Sequence, residues 1–294
     1  MTIHEAQRSG ARVVIGFAGQ SGTGKTYTAL LFAYGLAGCD GKRMGFLDTE
    51  NRRGSLYADI LPDGDKFLMS DMTAPFHPRR YVEAIREFEK AGVEVLVIDS
   101  ISHEWEGQGG CSDLAQYGDY TDEEFANGKW CEKVQKRARW DIAKREHQKF
   151  INCLLQCKMD VVVCLRAKEK SKIEPNGDVS SLGIQPIAEK NFSFEATALL
   201  LMQDEGSSQK VIRCPKQLKP YLGRADDYIG IQDGLAVREW LRGGTPMSPV
   251  DRARAALLGS SEEKRNEIWK GLTKDVQEAL KADGTVEKLK GGKA

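Results

Sequence analysis

The chain lacks the residues and segments that mark several common protein classes. Its 294 residues include only four histidines, and the seven cysteines form no C-x-x-C pair. This usage argues against a disulfide framework and against a zinc ribbon. The first twelve residues have no apolar signal core, and no apolar run approaches the length that spans a membrane. We therefore expect a reduced, cytoplasmic protein with no membrane contact.

The chain also lacks net charge, since Lys plus Arg and Asp plus Glu both number 43. Overall charge therefore gives no reason to expect a nucleic-acid partner. The charges are nevertheless segregated: residues 99–128 contain eight acidic residues and no Lys or Arg, whereas residues 129–172 contain thirteen basic and five acidic residues, a net charge of +8. An acidic segment is followed directly by a basic one.

Residues 19–26, GQSGTGKT, fit the phosphate-binding pattern G-x-x-x-x-G-K-[ST]. The apolar run at 13–18 predicts a buried strand before this loop, and residues 27–36 predict a helix after it. Glycines let backbone amides close around an anion, and the helix N-terminus adds partial positive charge. We therefore predict an ATP site with Mg²⁺, in which Lys25 contacts the β- and γ-phosphates and the Thr26 hydroxyl ligates the metal. Its predicted nucleotide-binding residues are Gly19, Gln20, Ser21, Gly22, Thr23, Gly24, Lys25, Thr26 and Tyr27.

A second apolar run, at residues 93–98, ends in Asp99. Such a strand delivers its terminal carboxylate to the sheet edge where the phosphates lie, which is the Walker B arrangement. Asp99 is accordingly predicted to hold Mg²⁺ together with Thr26.

Hydrolysis also requires a group that orients and polarises the attacking water. We expect Glu50 to orient and polarise this water. Glu50 comes at the end of a further predicted strand, and that strand is expected to lie next to the one that precedes the glycine loop. Glu104 and Glu106 are the alternatives, and an ordinary solvated loop accounts for those two equally well. His103 and Cys111 are too few to indicate a zinc site.

These segments resemble the RecA-like recombinase group. Residues 47–50, LDTE, are similar to that group's strand with the catalytic glutamate, and residues 98–100, IDS, to its Walker B strand. The string DSISHEWEG at 99–107 more narrowly resembles a family of bacteriophage and prophage RecA-like ATPases, whose members are implicated in homologous recombination and single-strand annealing. The resemblance extends over roughly residues 13–240.

The resemblance implies an α/β fold: a RecA-like P-loop NTPase core with a mainly parallel central sheet flanked by helices. The polar amphipathic pattern at residues 250–282 predicts a short helical C-terminal appendage after it. It also implies a DNA-stimulated ATPase of a bacterial host's cytoplasm, which acts on single-stranded DNA and assembles as a homo-oligomeric ring or filament.

The same resemblance gives two candidates for one γ-phosphate sensor and one candidate for a lysine that acts on a neighbouring subunit. RecA has a glutamine after the strand similar to residues 161–165, where this chain has Arg166 and Lys168, and either cation could take over its role. Lys190 lies in a segment similar to the one from which RecA supplies lysines to a neighbouring subunit's nucleotide. The alternative for Lys190 is a solvent-exposed lysine at a strand edge.

Two basic segments are candidate DNA contacts. Lys168, Lys170 and Lys172 are expected in a loop just past a sheet strand, similar to the second DNA-channel loop of RecA-like proteins. Residues with helical spacing form a further basic stripe that suits phosphate contact and base stacking, unless it is only a solvated helix face. The members of this stripe are Lys133, Arg137, Trp140, Lys144 and His147. The acidic segment 112–127 is expected to dock on the basic segment of the next protomer.

We divide the chain into an ATPase core at 1–242, a linker at 243–249, and a helical, partly disordered tail at 250–294. The tail either holds a partner such as a single-strand-binding protein or serves only as a solubilising appendage. Two other functions stay open: a P-loop small-molecule kinase, for which no lid with paired arginines is found, and a non-catalytic nucleotide-dependent scaffold.

Overall fold

The computed structural model describes residues 10–118, 136–173, 178–243, 249–258 and 262–291. Its strands are β1 (Val14–Gly19), β2 (Met44–Asp48), β3 (Leu68–Asp71), β4 (Val95–Asp99), β5 (Asp160–Ile173), β6 (Val179–Pro186), β7 (Ala198–Gln203) and β8 (Ser208–Arg213). Its helices are α1 (Lys25–Leu36), α2 (Pro78–Lys90), α3 (Ser102–Glu106), α4 (Cys111–Tyr117), α5 (Lys136–Gln156), α6 (Phe192–Glu195), α7 (Lys219–Leu222), α8 (Ile231–Leu241), α9 (Pro249–Leu258), α10 (Glu262–Gly271), α11 (Lys274–Ala282) and α12 (Thr285–Gly291).

The strands form one sheet in the order β3-β2-β4-β5-β1-β7-β8, and β6 pairs with the distal part of β5. The pairs from β3 through β7 are parallel, while β8 and β6 run antiparallel to their neighbours. Because parallel strands need crossover connections, helices cover both faces. The predicted α/β fold with a mainly parallel, helix-flanked sheet is confirmed.

Alternation along β1 divides the core into two apolar layers. Phe17 belongs to the layer that contains Phe32 of α1, and Ala18 belongs to the layer that contains Tyr81 of α2 and Phe150 of α5. Successive strand residues point to opposite faces, so one short strand joins both layers. The loop that follows β1 is therefore anchored on both sides.

The predicted position of Glu50's strand is wrong. β2 does not adjoin β1: the neighbours of β1 are β5 and β7, and both β4 and β5 lie between β1 and β2. After β1 and α1 the chain forms β2 three positions away from β1 in the sheet. The two positions between them are occupied by β4 and β5, which come later in the sequence. Glu50 therefore reaches the glycine loop across the sheet edge rather than from an adjacent strand.

The predicted loop after residue 165 is also wrong. β5 continues to Ile173 and pairs with β6, with Lys168 opposite Gln185 and Lys170 opposite Gly183. The alternation of side chains places residues 166, 168 and 170 on one face of this strand, before the pairing register shifts between Lys170 and Ser171. The basic residues thus extend from the sheet on a β-hairpin.

The four C-terminal helices have a small core of their own, formed by Ala253, Leu257, Val276 and Leu280. Leu258 belongs instead to the main apolar layer around α1, so these helices pack against the α/β core. The predicted linker falls largely on residues 244–248, outside the described residues. Among the described helices, none is long and apolar enough to cross a membrane.

Candidate functional site

The glycine loop connects β1 to α1 through two residues with left-handed backbone. Gly22 has φ +82° and Gly24, directly before the helix, has φ +79°. Side-chain-bearing residues are strained in this region, which explains glycine at both positions. The ammonium of Lys25 donates to the carbonyl of Gln20 at 2.6 Å, so its side chain folds back over the loop.

Thr26 and Asp99 meet at the C-terminal edge of the sheet. The Thr26 hydroxyl donates a short hydrogen bond to Oδ2 of Asp99. Burial raises the pKa of Asp99 to about 6, above its usual range, although the Thr26 hydrogen bond and the nearby Lys25 charge act in the opposite direction. A hydroxyl and a carboxylate are hard oxygen donors, and this pair fits the coordination chemistry of Mg²⁺.

Glu50 is held by several donors. Nε of Arg166 donates to its Oε1 at 2.8 Å, a second Arg166 nitrogen bonds Oε2, and the Ser100 hydroxyl donates to Oε1 at 3.1 Å. Burial alone would raise the pKa of Glu50, but the hydrogen bond and the charge of Arg166 lower it overall. Glu50 is therefore an ionised carboxylate, as a group that polarises water must be.

His103 lies beside this carboxylate with its Nε2 3.9 Å from Oε1 of Glu50. Its Nδ1 lies 2.8 Å from the hydroxyl of Thr49, and its ring stacks on Phe76. Burial lowers the pKa of His103 despite the attraction of Glu50, so the ring is neutral at pH 7. The neutral ring is thus held beside Glu50 by its contacts with Thr49 and Phe76.

Asp48 fixes the turn that follows β2. It accepts hydrogen bonds from the backbone N–H of Glu50 at 2.6 Å and of Gly54 at 2.7 Å. A Cβ on Gly54 would come within 2.2 Å of the Phe46 ring, so glycine is required for this close approach. Asp48 therefore orients Glu50 through the backbone.

These groups line one cleft of about 430 Å³. Its lining consists of Gly19, Ser21, Gly22, Lys25, Thr26, Asp48, Glu50, Arg53, Gly54, Tyr57, Asp99, Arg166, Ala167 and Ile187. Arg53, Tyr57 and Ile187 were not predicted from the sequence. Arg53 and Tyr57 lie on a 3-10 turn, and Ile187 follows the β5–β6 hairpin. No spacing rule gives the positions of these elements. The only available signal was the pair Arg52 and Arg53, which follows Glu50 and Asn51.

The alternative glutamates have other partners. Glu104 is buried against His147 and Cys111, and Glu106 forms an ion pair with Lys168 at 2.8 Å. Neither glutamate lines the cleft, and the predicted solvated loop is in fact helix α3. Lys168, a candidate sensor, is thereby directed to Glu106, whereas Arg166 lines the cleft.

The remaining predicted residues lie away from the cleft. Tyr27, in the first turn of α1, is half exposed, and Lys190 is exposed on the turn before α6. Lys170 and Lys172 lie on the β5–β6 hairpin.

The basic stripe on α5 holds only in part. His147 is buried and pairs with Glu104, because it faces the helices α3 and α4 rather than solvent. Trp140 is 37% exposed, with its ring 6.4 Å from that of Trp105. Arg137 lies on α5. Lys133 and most of the acidic segment 112–127 lie outside the described residues.

The parallel sheet, the glycine loop and the Thr26–Asp99 pair at its edge define a P-loop ATPase. A protein-family model described as an AAA domain matches residues 11–202, about two thirds of the chain, and the chain belongs to this family. No curated protein matches its sequence. Among solved structures, a KaiC-like protein of Pyrococcus horikoshii OT3 is similar, with 15% identity, a TM-score of 0.39, and coverage of 69% of this chain and 80% of that one.

Proposed function

We propose that this protein hydrolyses Mg-ATP and uses it to act on single-stranded DNA, in a phage-type recombination step such as annealing or strand pairing. The observation that carries this proposal is that a single strand, β5, contributes to both the nucleotide cleft and the basic β-hairpin. It brings Arg166 to the nucleotide cleft and then continues as the hairpin that contains Lys168, Lys170 and Lys172.

The chain's own residues supply the hydrolytic chemistry. Backbone amides of the loop 22–26 and the Lys25 ammonium hold the phosphates, which lie at the N-terminus of α1. Thr26 and Asp99 hold Mg²⁺, which neutralises phosphate charge when bound. Glu50, ionised and fixed by Asp48 through the backbone, orients and polarises the attacking water.

Arg166 links the state of the nucleotide to the hairpin. Its guanidinium holds both carboxylate oxygens of Glu50, and a γ-phosphate entering the cleft competes for the same donors. We therefore assign the γ-phosphate sensor to Arg166 rather than to Lys168. Any shift of Arg166 on ATP binding is transmitted along β5 to the basic residues beyond it.

The hairpin is suited to a phosphate backbone. Lys168 and Lys172 are exposed, and β6 adds the exposed side chains of Val179 and Leu182. Lysines contact phosphates without reading the sequence, so binding should be weakly specific and strongly salt-dependent. We further propose that the protein works as a homo-oligomeric ring or filament in which Lys190 contacts a neighbour's nucleotide, and that residues 250–294 can recruit a single-strand-binding protein.

DNA binding tests the assignment of the hairpin. Fluorescence anisotropy of a labelled single strand should show an affinity that falls steeply between low and moderate salt. Replacing Lys170 and Lys172 by Glu should weaken binding at least tenfold.

Lys42→Glu is the matched control, because this exposed lysine precedes β2 at the opposite edge of the sheet. Equal effects of the hairpin and control substitutions would overturn the assignment. Hydrolysis stimulated by a small-molecule acceptor instead of DNA would favour a kinase, and ATP binding without hydrolysis would favour a scaffold.

A further inference from the structure

A second cluster of metal-ligating side chains lies where α3, α4 and α5 meet. Glu104, Cys111 and His147 each come from a different helix and are 2%, 0% and 8% exposed. The Cys111 Sγ is 3.1 Å from Oε1 of Glu104, and Nδ1 of His147 is 3.0 Å from the same oxygen. All three ligand atoms lie within 4.8 Å of one another. None of these residues lines the nucleotide cleft or takes part in the proposed hydrolysis.

We propose that Glu104, Cys111 and His147 bind a divalent transition-metal ion of the Zn²⁺ class. A thiolate and an imidazole beside one carboxylate favour Zn²⁺ over Mg²⁺, which prefers oxygen ligands alone. The site therefore differs in chemistry from the Thr26–Asp99 pair.

Two of the three distances between ligand atoms fit such an ion after a small adjustment, and the third is within 4.8 Å. Tetrahedral coordination with Zn–S of about 2.3 Å and Zn–N or Zn–O of about 2.0 Å separates ligand atoms by about 3.3 to 3.5 Å. The separations of Glu104 Oε1 from Cys111 Sγ and from His147 Nδ1 are 3.1 and 3.0 Å. An increase of about 0.2 to 0.5 Å admits the ion, and three protein ligands leave the fourth position to water.

Metal binding exchanges protons for the ion. In the metal-free protein the Cys111 thiol donates to Glu104, and His147 shares a hydrogen bond with the same carboxylate. On binding, the thiol proton is released to solvent, and His147 coordinates through Nδ1 with its proton on Nε2. The two hydrogen bonds are replaced by metal–ligand bonds.

The surroundings of the cluster indicate what the ion would do. The apolar core between α4 and α5 is small, with Cys111, Leu114, Ala115 and Ala143 fully buried and Trp105 packed against them. A metal bound by one residue from each of α3, α4 and α5 would tie the three helices together beside this small core. Since α3 begins three residues after Asp99, the ion would also restrain the segment that follows this cleft residue.

Cobalt substitution of the purified full-length protein tests this site. Co²⁺ added to metal-free protein should give about one bound ion per chain with a near-ultraviolet thiolate-to-cobalt absorption band. Cys111→Ser should abolish the band, and His147→Ala, which keeps the thiol, should weaken Co²⁺ binding at least tenfold.

Two variants serve as matched controls. Cys153→Ser removes a half-buried cysteine on α5 that packs in a different apolar layer, and Asp99→Asn removes the carboxylate of the nucleotide site. Both should keep the band. A wild-type protein that gives no thiolate band, or a band that survives Cys111→Ser, would overturn the proposal and leave the cluster as a hydrogen-bonded packing contact.

Discussion

Arg166 donates hydrogen bonds to both carboxylate oxygens of Glu50, although one strand of the sheet lies between the strands that bear them. Arg166 lies on β5 and Glu50 follows β2, with β4 in the middle, and the Arg166 Nε donates to Glu50 Oε1 at 2.8 Å. This contact joins the group proposed to polarise water to the group proposed to sense the γ-phosphate. The first two predictions test its two ends.

Glu50→Gln should bind ATP but lose hydrolysis. The amide keeps the size of the side chain but cannot polarise water as a carboxylate does, and removing such a group typically slows turnover about 100-fold or more. Steady-state turnover and nucleotide affinity should be measured together. Near-normal turnover would exclude Glu50 from this role.

Arg166→Ala should move the acidic limb of the pH–rate profile to higher pH. The Arg166 hydrogen bond and charge lower the pKa of Glu50 against the opposing effect of burial, so without Arg166 the carboxylate protonates at a higher pH. With Mg²⁺ at a concentration that keeps Asp99 ionised as its ligand, the profile of kcat/KM reports Glu50 in the free enzyme. Lys168→Ala removes a cation paired with Glu106 instead and should leave the limb in place.

Asp99→Asn should stabilise the metal-free protein at neutral pH while it weakens Mg²⁺ binding. Burial raises the pKa of Asp99 from 3.8 to about 6, so its charged form opposes folding by up to roughly 3 kcal/mol above pH 6. Below pH 6 the wild-type carboxyl protonates in the folded state, and the advantage of Asn should shrink until it vanishes below pH 4. Urea unfolding at pH 8 and pH 4 measures this difference. An equal advantage at both pH values would contradict the explanation by burial.

Gly24→Ala should destabilise the protein more than Gly22→Ala. Both glycines have positive φ, which costs a side-chain-bearing residue about 1 to 2 kcal/mol. A Cβ on Gly24 would also lie 2.8 Å from the carbonyl oxygen of Glu205, whereas a Cβ on Gly22 meets nothing within 4 Å. Gly22→Ala thus serves as the matched control for backbone strain. Urea unfolding should give a lower free energy of unfolding for Gly24→Ala than for Gly22→Ala. Equal free energies would contradict this prediction and show that the turn after β7 can shift away from the added Cβ at no cost.

The sequence predicted the parts of the fold and site that depend on local patterns. The glycine loop and the apolar run before Asp99 each carry their signal within a few residues, so strand, loop and helix were placed well. The order of strands has no local signal, which is why β2 was wrongly expected beside β1. The helical spacing places His147 on the basic stripe for the same reason, since only the packing of α3 and α4 on α5 reveals its partner Glu104.

The central claim is tested most directly by ATP turnover of the purified protein with Mg²⁺, with and without single-stranded DNA, at low and moderate salt. Hydrolysis should rise several-fold with DNA at low salt, lose this stimulation at moderate salt, and be absent in Lys25→Ala. Hydrolysis that requires Lys25 but is indifferent to DNA at both salt concentrations would contradict the proposed substrate and leave a P-loop ATPase with another target.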